Sequence, residues 1–145
     1  MTSALCGRVL QTRMETKYIA TDLEFSSETE LAHIVPELGD WVQVHLNQWV
    51  DDTYQVVVGI TLENDTPESA VSSYCDRVEM FSDQAMFSWE QCDRRVIDIA
   101  FEGGNDPKSV TYELPPNLLL RTSKLGLALA VTIYRVGTYS GDPTP

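Results

Sequence analysis

Carboxylates are the side chains this chain offers most freely for chemistry, and several stand close together: Asp51 beside Asp52, Glu63 next to Asp65, and Glu90 near Asp93. A carboxyl pair hydrolyses a glycosidic bond when the two groups face each other across a cleft and burial raises the pKa of one. Adjacency in sequence does not supply that geometry. With 22 acidic residues in 145, close pairs arise by chance and read as solvated turn residues. Calcium meets a similar objection: there is no Asp-x-Asp-x-Asp-Gly loop, and Asp51-Asp52 and Glu63-Asn64-Asp65 flank one strand, which sets them at opposite poles.

Nucleophiles and metal ligands are sparse. Cys6, Cys75 and Cys92 are an odd number at wide spacing, which argues against a disulfide framework and for a reducing compartment. With His33 and His45 they form no Cys-x-x-Cys, His-x-x-x-His or Cys-x-x-His pattern, so no zinc site is expected. Whether Cys75 or Cys92 meets either histidine is decided by the fold alone. No Gly-x-Ser-x-Gly elbow is present, and Gly103-Gly104 lacks the lysine and later glycine of a phosphate cradle. The expectation is a protein without catalytic residues, cofactor or metal.

Aromatic residues are the better candidates for recognition. Trp41, Trp49 and Trp89 are read as core residues first, then as interface anchors or as a stacking platform for a carbohydrate or other small ligand.

Charge is segregated along the chain. Residues 18 to 76 hold twelve carboxylates and no Lys or Arg; residues 22 to 106 carry a balance of −16, and the flanks carry +4. The basic side chains Arg8, Arg13, Lys17, Lys108, Arg121, Lys124 and Arg135 lie in those flanks. A net charge of −12 opposes direct binding of nucleic acid through the acidic middle, because phosphate contacts need clustered bases. It fits a basic protein partner, and a salt-adapted surface would give the same numbers. Asp51, Asp52, Glu63, Asp65 and Glu68 are the candidate acidic interaction surface.

The elements that must position these residues read as strands. Alternation of period two, rich in Val, Ile, Thr and Tyr, runs through Leu5–Met14, Lys17–Phe25, Trp41–Val50, Tyr54–Glu63, Arg95–Phe101, Ser109–Leu114, Leu118–Leu120 and Leu125–Val136. Asp51-Asp52-Thr53 closes the clearest hairpin, and Gly103 to Pro107 joins a second between 95–101 and 109–114. On the hairpin strand, Val42, Val44 and Leu46 are expected on one face against Trp41, Gln43 and His45; on the second strand Tyr18 is expected with Ala20 and Asp22. Residues 26 to 38 read as one short helix behind a Ser27/Glu30 capping box, or as a loop stapled by Leu31, Ile34 and Leu38. Residues 71–81 and 85–89 read as irregular strands or as a strand and a helical turn, and Pro115-Pro116 interrupts the sheet.

The expected fold is therefore all-β: an antiparallel β-sandwich, jelly-roll-like or Greek-key, or a small closed barrel, with at most one or two short helices. Residues 1–140 are expected to be one domain and 141–145 a Pro-containing tail. No apolar run reaches the roughly 18 residues of a membrane helix, and the N-terminus does not resemble a signal peptide, so a soluble, intracellular or particle-associated protein is expected. The leading functional expectation is a non-enzymatic assembly subunit, a homo-oligomer packing with copies of itself or onto a larger particle such as a viral or phage shell, acidic face outward. The alternative is an acidic inhibitor or immunity-type protein that binds a basic partner such as a nuclease; the third is a small-molecule or carbohydrate-binding module.

Overall fold

The hairpin at the acidic turn forms, and the rest of the sheet grows from it. The computed structural model describes residues 15–60, 66–105 and 109–135. Within them lie β1 (Lys17–Ser27), a 3-10 turn (Val35–Leu38), β2 (Val42–Val50), β3 (Thr53–Ile60), α1 (Pro67–Glu79), α2 (Asp83–Glu90), β4 (Arg94–Glu102), α3 (Pro116–Lys124) and β5 (Ala128–Tyr134). The expected strand at 5–14 and the tail at 141–145 lie outside the described residues. Among those described, no helix is long and apolar enough to cross a membrane.

Five strands form one mixed sheet in the order β2-β3-β1-β4-β5. β1 is antiparallel to both β3 and β4, β2 is antiparallel to β3, and β5 lies parallel to β4. β3 and β4 therefore run in the same direction on either side of β1, joined by α1 and α2, while α3 joins β4 to β5. The chain is mostly sheet, as its alternation implies, but the sheet is open: β2 and β5 do not meet, and the described residues contain no second sheet. Three α-helices stand where at most one or two short ones were expected.

All three helices cover one face. Leu23 and Phe25 of β1, Val56 and Val58 of β3 and Ile97 and Ile99 of β4 pack in one core with Val71, Tyr74, Cys75 and Val78 of α1, Ala85 and Trp89 of α2 and Leu118 of α3. The spacing 71, 74, 75, 78 is a helical stripe, and it overrides the strand-like composition of residues 71–81. The start is capped: Thr66 accepts from the Ser69 N–H, Ser69 returns to the Thr66 backbone, and Pro67 fills the first turn. Residues 83–90 are likewise helical, not a strand, because the Ser82 side chain caps their first turn.

The second expected hairpin does not form. β4 takes β1 on one side and β5 on the other, so residues 109–114 find no free edge on β4 and remain outside the sheet. Pro115-Pro116 opens a helix instead of merely breaking a strand, and Leu118–Leu120 belong to that helix. Of residues 26–38, Ser26 and Ser27 end β1 and the remainder holds only the 3-10 turn. The Ser27 hydroxyl accepts from the Thr29 N–H in place of a capping box, and Leu31, Ile34 and Leu38 are fully buried as the staple.

Two bulges reverse face assignments that strict alternation predicts. Register shifts between Val44 and Leu46, so Val44 pairs with Val58 on the helix side while Leu46 pairs with Val57 on the other side. The same extra residue, His45, returns Trp49 to the helix side opposite Tyr54. In β1 the shift falls between Tyr18 and Ala20, which sets Tyr18 beside Phe101 on the helix side, and its hydroxyl meets Thr21 Oγ1 at 2.6 Å.

Candidate functional site

Every second residue of each strand faces away from the helices, and there acidic side chains of β1 and β4 stand among small and aliphatic ones. One cross-strand row runs Gln43, Gly59, Asp22, Asp98, Ala130, and the next runs Leu46, Val57, Glu24, Val96, Ala128. Asp22 and Asp98 are direct neighbours across an antiparallel pair, where like charges repel. Asp98 accepts a hydrogen bond from Thr132 Oγ1 at 2.7 Å. Glu24 is bonded by Arg94 at 3.0 Å and Glu102 lies 3.6 Å from Lys17. Among the described residues no Lys or Arg forms an ion pair with Asp22 or Asp98.

Gly59 makes room in the middle of this row. A Cβ there would stand 2.7 Å from His45 Nε2 and 3.0 Å from Asp22 Oδ1, so the histidine supplied by the β2 bulge and the carboxylate of β1 converge above a residue without a side chain. Burial holds the Asp22 carboxyl above its ordinary value of 3.8; Glu24 and Asp98 push it the same way, and His45 acts in the opposite direction. Asp22, Glu24, His45 and Asp98 were not singled out from the sequence. The signal available was Asp22 and Glu24 two residues apart on a strand whose intervening residues are apolar.

The residues that were singled out are dispersed. Asp51 and Asp52 form the two-residue turn of the β2–β3 hairpin, and Asp51 adopts φ 56, a left-handed conformation that Asp tolerates. Glu68 lies in the first turn of α1, where a carboxylate complements the helix dipole. β3 separates that turn from the start of α1, so Asp51 and Asp52 are not brought to Glu68; Glu63 and Asp65 lie outside the described residues.

The three tryptophans also differ. Trp89 is only 1% exposed, packs edge-on against Phe25 and Phe81, and donates from Nε1 to the Leu125 carbonyl at 3.0 Å. It is a core residue with no surface to offer as an anchor. Trp41 lies against Tyr74, with the Arg77 guanidinium 5.8 Å from its ring centre, beside a hollow of about 470 Å³ that Ser73, Asp76 and Met80 also line. Trp49 is 48% exposed and meets Tyr54 edge-on.

Among the described residues no sulfur nucleophile is primed. Cys75 and Cys92 are buried, and burial pushes both thiols up to about 11. His33 Nε2 lies 2.9 Å from Ser88 Oγ, a pairing the sequence did not suggest. Glu37, a carboxylate that feels the charge of that imidazole, is engaged elsewhere: it accepts from the Ser82 N–H at 2.7 Å and from its hydroxyl at 2.8 Å. The Ser88–His33 pair thus ties α2 to the 28–34 loop without the third group that would orient a base. Among the described residues no three His, Cys, Asp or Glu side chains are grouped to hold a metal ion.

Comparison of the chain with protein-family models, with curated proteins and with solved structures found no match.

Proposed function

We propose that this is a non-enzymatic binding protein that captures a basic protein partner on the uncovered, acidic face of its sheet. The observation that supports this reading is the Asp22–Asp98 pair, two carboxylates held side by side with no ion-pair partner among the described residues, on a chain whose net charge is −12. A partner's Lys or Arg entering between them relieves a repulsion that the free protein must tolerate, and the long-range field speeds the encounter. The class of partner that fits is one whose surface is already basic for phosphate contacts, such as a nuclease or another nucleic-acid-binding protein, which makes this chain an inhibitor or immunity-type protein.

The assembly reading meets an obstacle on this face. If the layer that turned the sheet into a sandwich came from another copy, acidic face would meet acidic face. A carbohydrate module needs an open ring, and of the three tryptophans Trp49 alone has about half its surface free.

The test is co-purification of the tagged chain at low salt, followed by titration of the recovered basic protein. The expected result is a one-to-one complex that weakens as salt is raised and is lost in the Asp22→Lys/Asp98→Lys double variant, while Glu68→Lys retains it. Capture that survives the double variant overturns the proposal.

A further inference from the structure

The two outer strands of the sheet are protected very differently. β2 carries the His45 bulge and is flanked by Asp40, Asp51 and Asp52, devices that discourage pairing with another chain. β5 has neither. Its sequence Ala-Leu-Ala-Val-Thr-Ile-Tyr contains no charge and no proline, its register with β4 is continuous, and among the described residues β4 is its one sheet neighbour.

Leu129, Val131 and Ile133 are in register with Ile97, Ile99 and Phe101, so they project on the helix side. Leu129 packs against the core, but the helices do not cover the other two: Val131 is 61% and Ile133 69% exposed. Val131 also lines a groove of about 310 Å³ with Ile99, Phe101, Val110, Tyr112 and Leu114. An uncharged, regular, apolar edge beside an apolar groove suits an added strand.

We propose that β5 pairs antiparallel with β5 of a second copy about a two-fold axis at Val131. That register sets Val131 against Val131, Leu129 against Ile133 and Ala130 against Thr132, so apolar residues meet on the helix side and small ones on the other. Charge selects this edge over the opposite one. The combined sheet would run β2-β3-β1-β4-β5 and back again, which holds the two acidic β2 edges nine strand spacings apart, about 43 Å against a Debye length of about 8 Å. Pairing through β2 would instead juxtapose Asp40, Asp51 and Asp52 of both copies. The dimer contact uses none of Asp22, Glu24 or Asp98, so it stands apart from the capture of a basic partner.

Sedimentation equilibrium of the full chain up to about 200 µM tests it, since self-association follows mass action. The expected species is a dimer of twice the 16.3 kDa chain mass. Higher salt should strengthen it by screening the net charge, the opposite of its effect on a basic partner. Val131→Lys should weaken it by about 100-fold or more, because an unpaired ammonium would be buried at the axis. In a Cys6→Ser background, Val131→Cys should form an intermolecular disulfide under copper phenanthroline, since opposed strand residues lie within bonding range, whereas Val44→Cys on β2 should not. A wild-type chain that stays monomeric at the highest concentration, or a dimer that Val131→Lys leaves intact with no cross-link at Val131→Cys, overturns the proposal.

Discussion

Asp22 on β1 and Asp98 on β4 stand directly opposite each other on the face the helices leave uncovered, so two carboxylates share one patch of the sheet. The arrangement works against folding. The Asp22 carboxyl is held above its ordinary value, by burial first, and a folded pKa above the unfolded one means that ionisation opposes the native state. Its favourable term is complete below the unfolded value of 3.8 and is lost as pH rises through the folded value. Asp22→Asn removes the ionisation at every pH. The variant should therefore exceed the wild type by about 0.5–1 kcal/mol at neutral pH, the size of a relieved cross-strand repulsion, and the gap should close on acidification. Urea midpoints across that pH range measure it, and a variant less stable at neutrality would contradict the account.

Asp51 offers a second stability test, independent of the sheet face. Its φ of 56 suits glycine better than any residue with a Cβ, in a two-residue turn where glycine is the usual occupant. Asp51→Gly should be neutral or stabilising by up to about 1 kcal/mol, and Asp51→Val should destabilise by about 1–2 kcal/mol, since a β-branched side chain is strained there. Thermal melts of the pair decide between turn geometry and charge as the reason for an acid at this position.

The legible parts of the fold were those governed by local pattern. The β2–β3 hairpin could be read because Val, Leu and Trp alternate with polar residues around Asp51-Asp52, and β1, β4 and β5 for the same reason. The helices were misread because α1 carries three Ser, two Val and a Tyr; its capped start at Thr66-Pro67 and its stripe at 71, 74, 75 and 78 were present but outweighed by composition. The bulges at Ile19 and His45 could not be read at all. Each is an extra residue accommodated against a particular partner strand, and no property of Ile19 or His45 itself announces it. That is also why the Asp22, His45 and Asp98 grouping was invisible: three strands distant in sequence, one of them out of phase, must be aligned before the residues meet.

Glu37 couples the 3-10 turn to α2. It accepts from the Ser82 backbone and hydroxyl, which hold its carboxyl below the ordinary value of 4.5. A depressed folded pKa contributes stability that is present above the unfolded value and lost as pH falls through the folded one. The wild type should therefore be more stable than Glu37→Gln near neutrality and should lose that advantage in acid. Ser82→Ala should cost about 1 kcal/mol by removing the cap of α2, and should return the Glu37 carboxyl toward its ordinary value. Acid-unfolding curves and the carboxyl chemical shift of Glu37 report the two effects separately.

Gly59 separates geometry from charge at the proposed binding face. Its φ is not in the left-handed region, so alanine can adopt the same backbone, and the atoms a new Cβ would meet are the ends of the His45 and Asp22 side chains, which can swing aside. Strand glycine is less stable than alanine by about 0.5–1 kcal/mol, so Gly59→Ala should fold with equal or greater stability. The charge of the protein is unchanged, yet His45 and Asp22 must leave their positions above residue 59. If capture of a basic partner depends on that arrangement, the variant should bind about 10-fold more weakly with the same dependence on salt, because a displaced contact changes complementarity while the long-range field stays the same. Full affinity in Gly59→Ala, with loss in Asp22→Lys/Asp98→Lys, would mean that the face acts through charge alone.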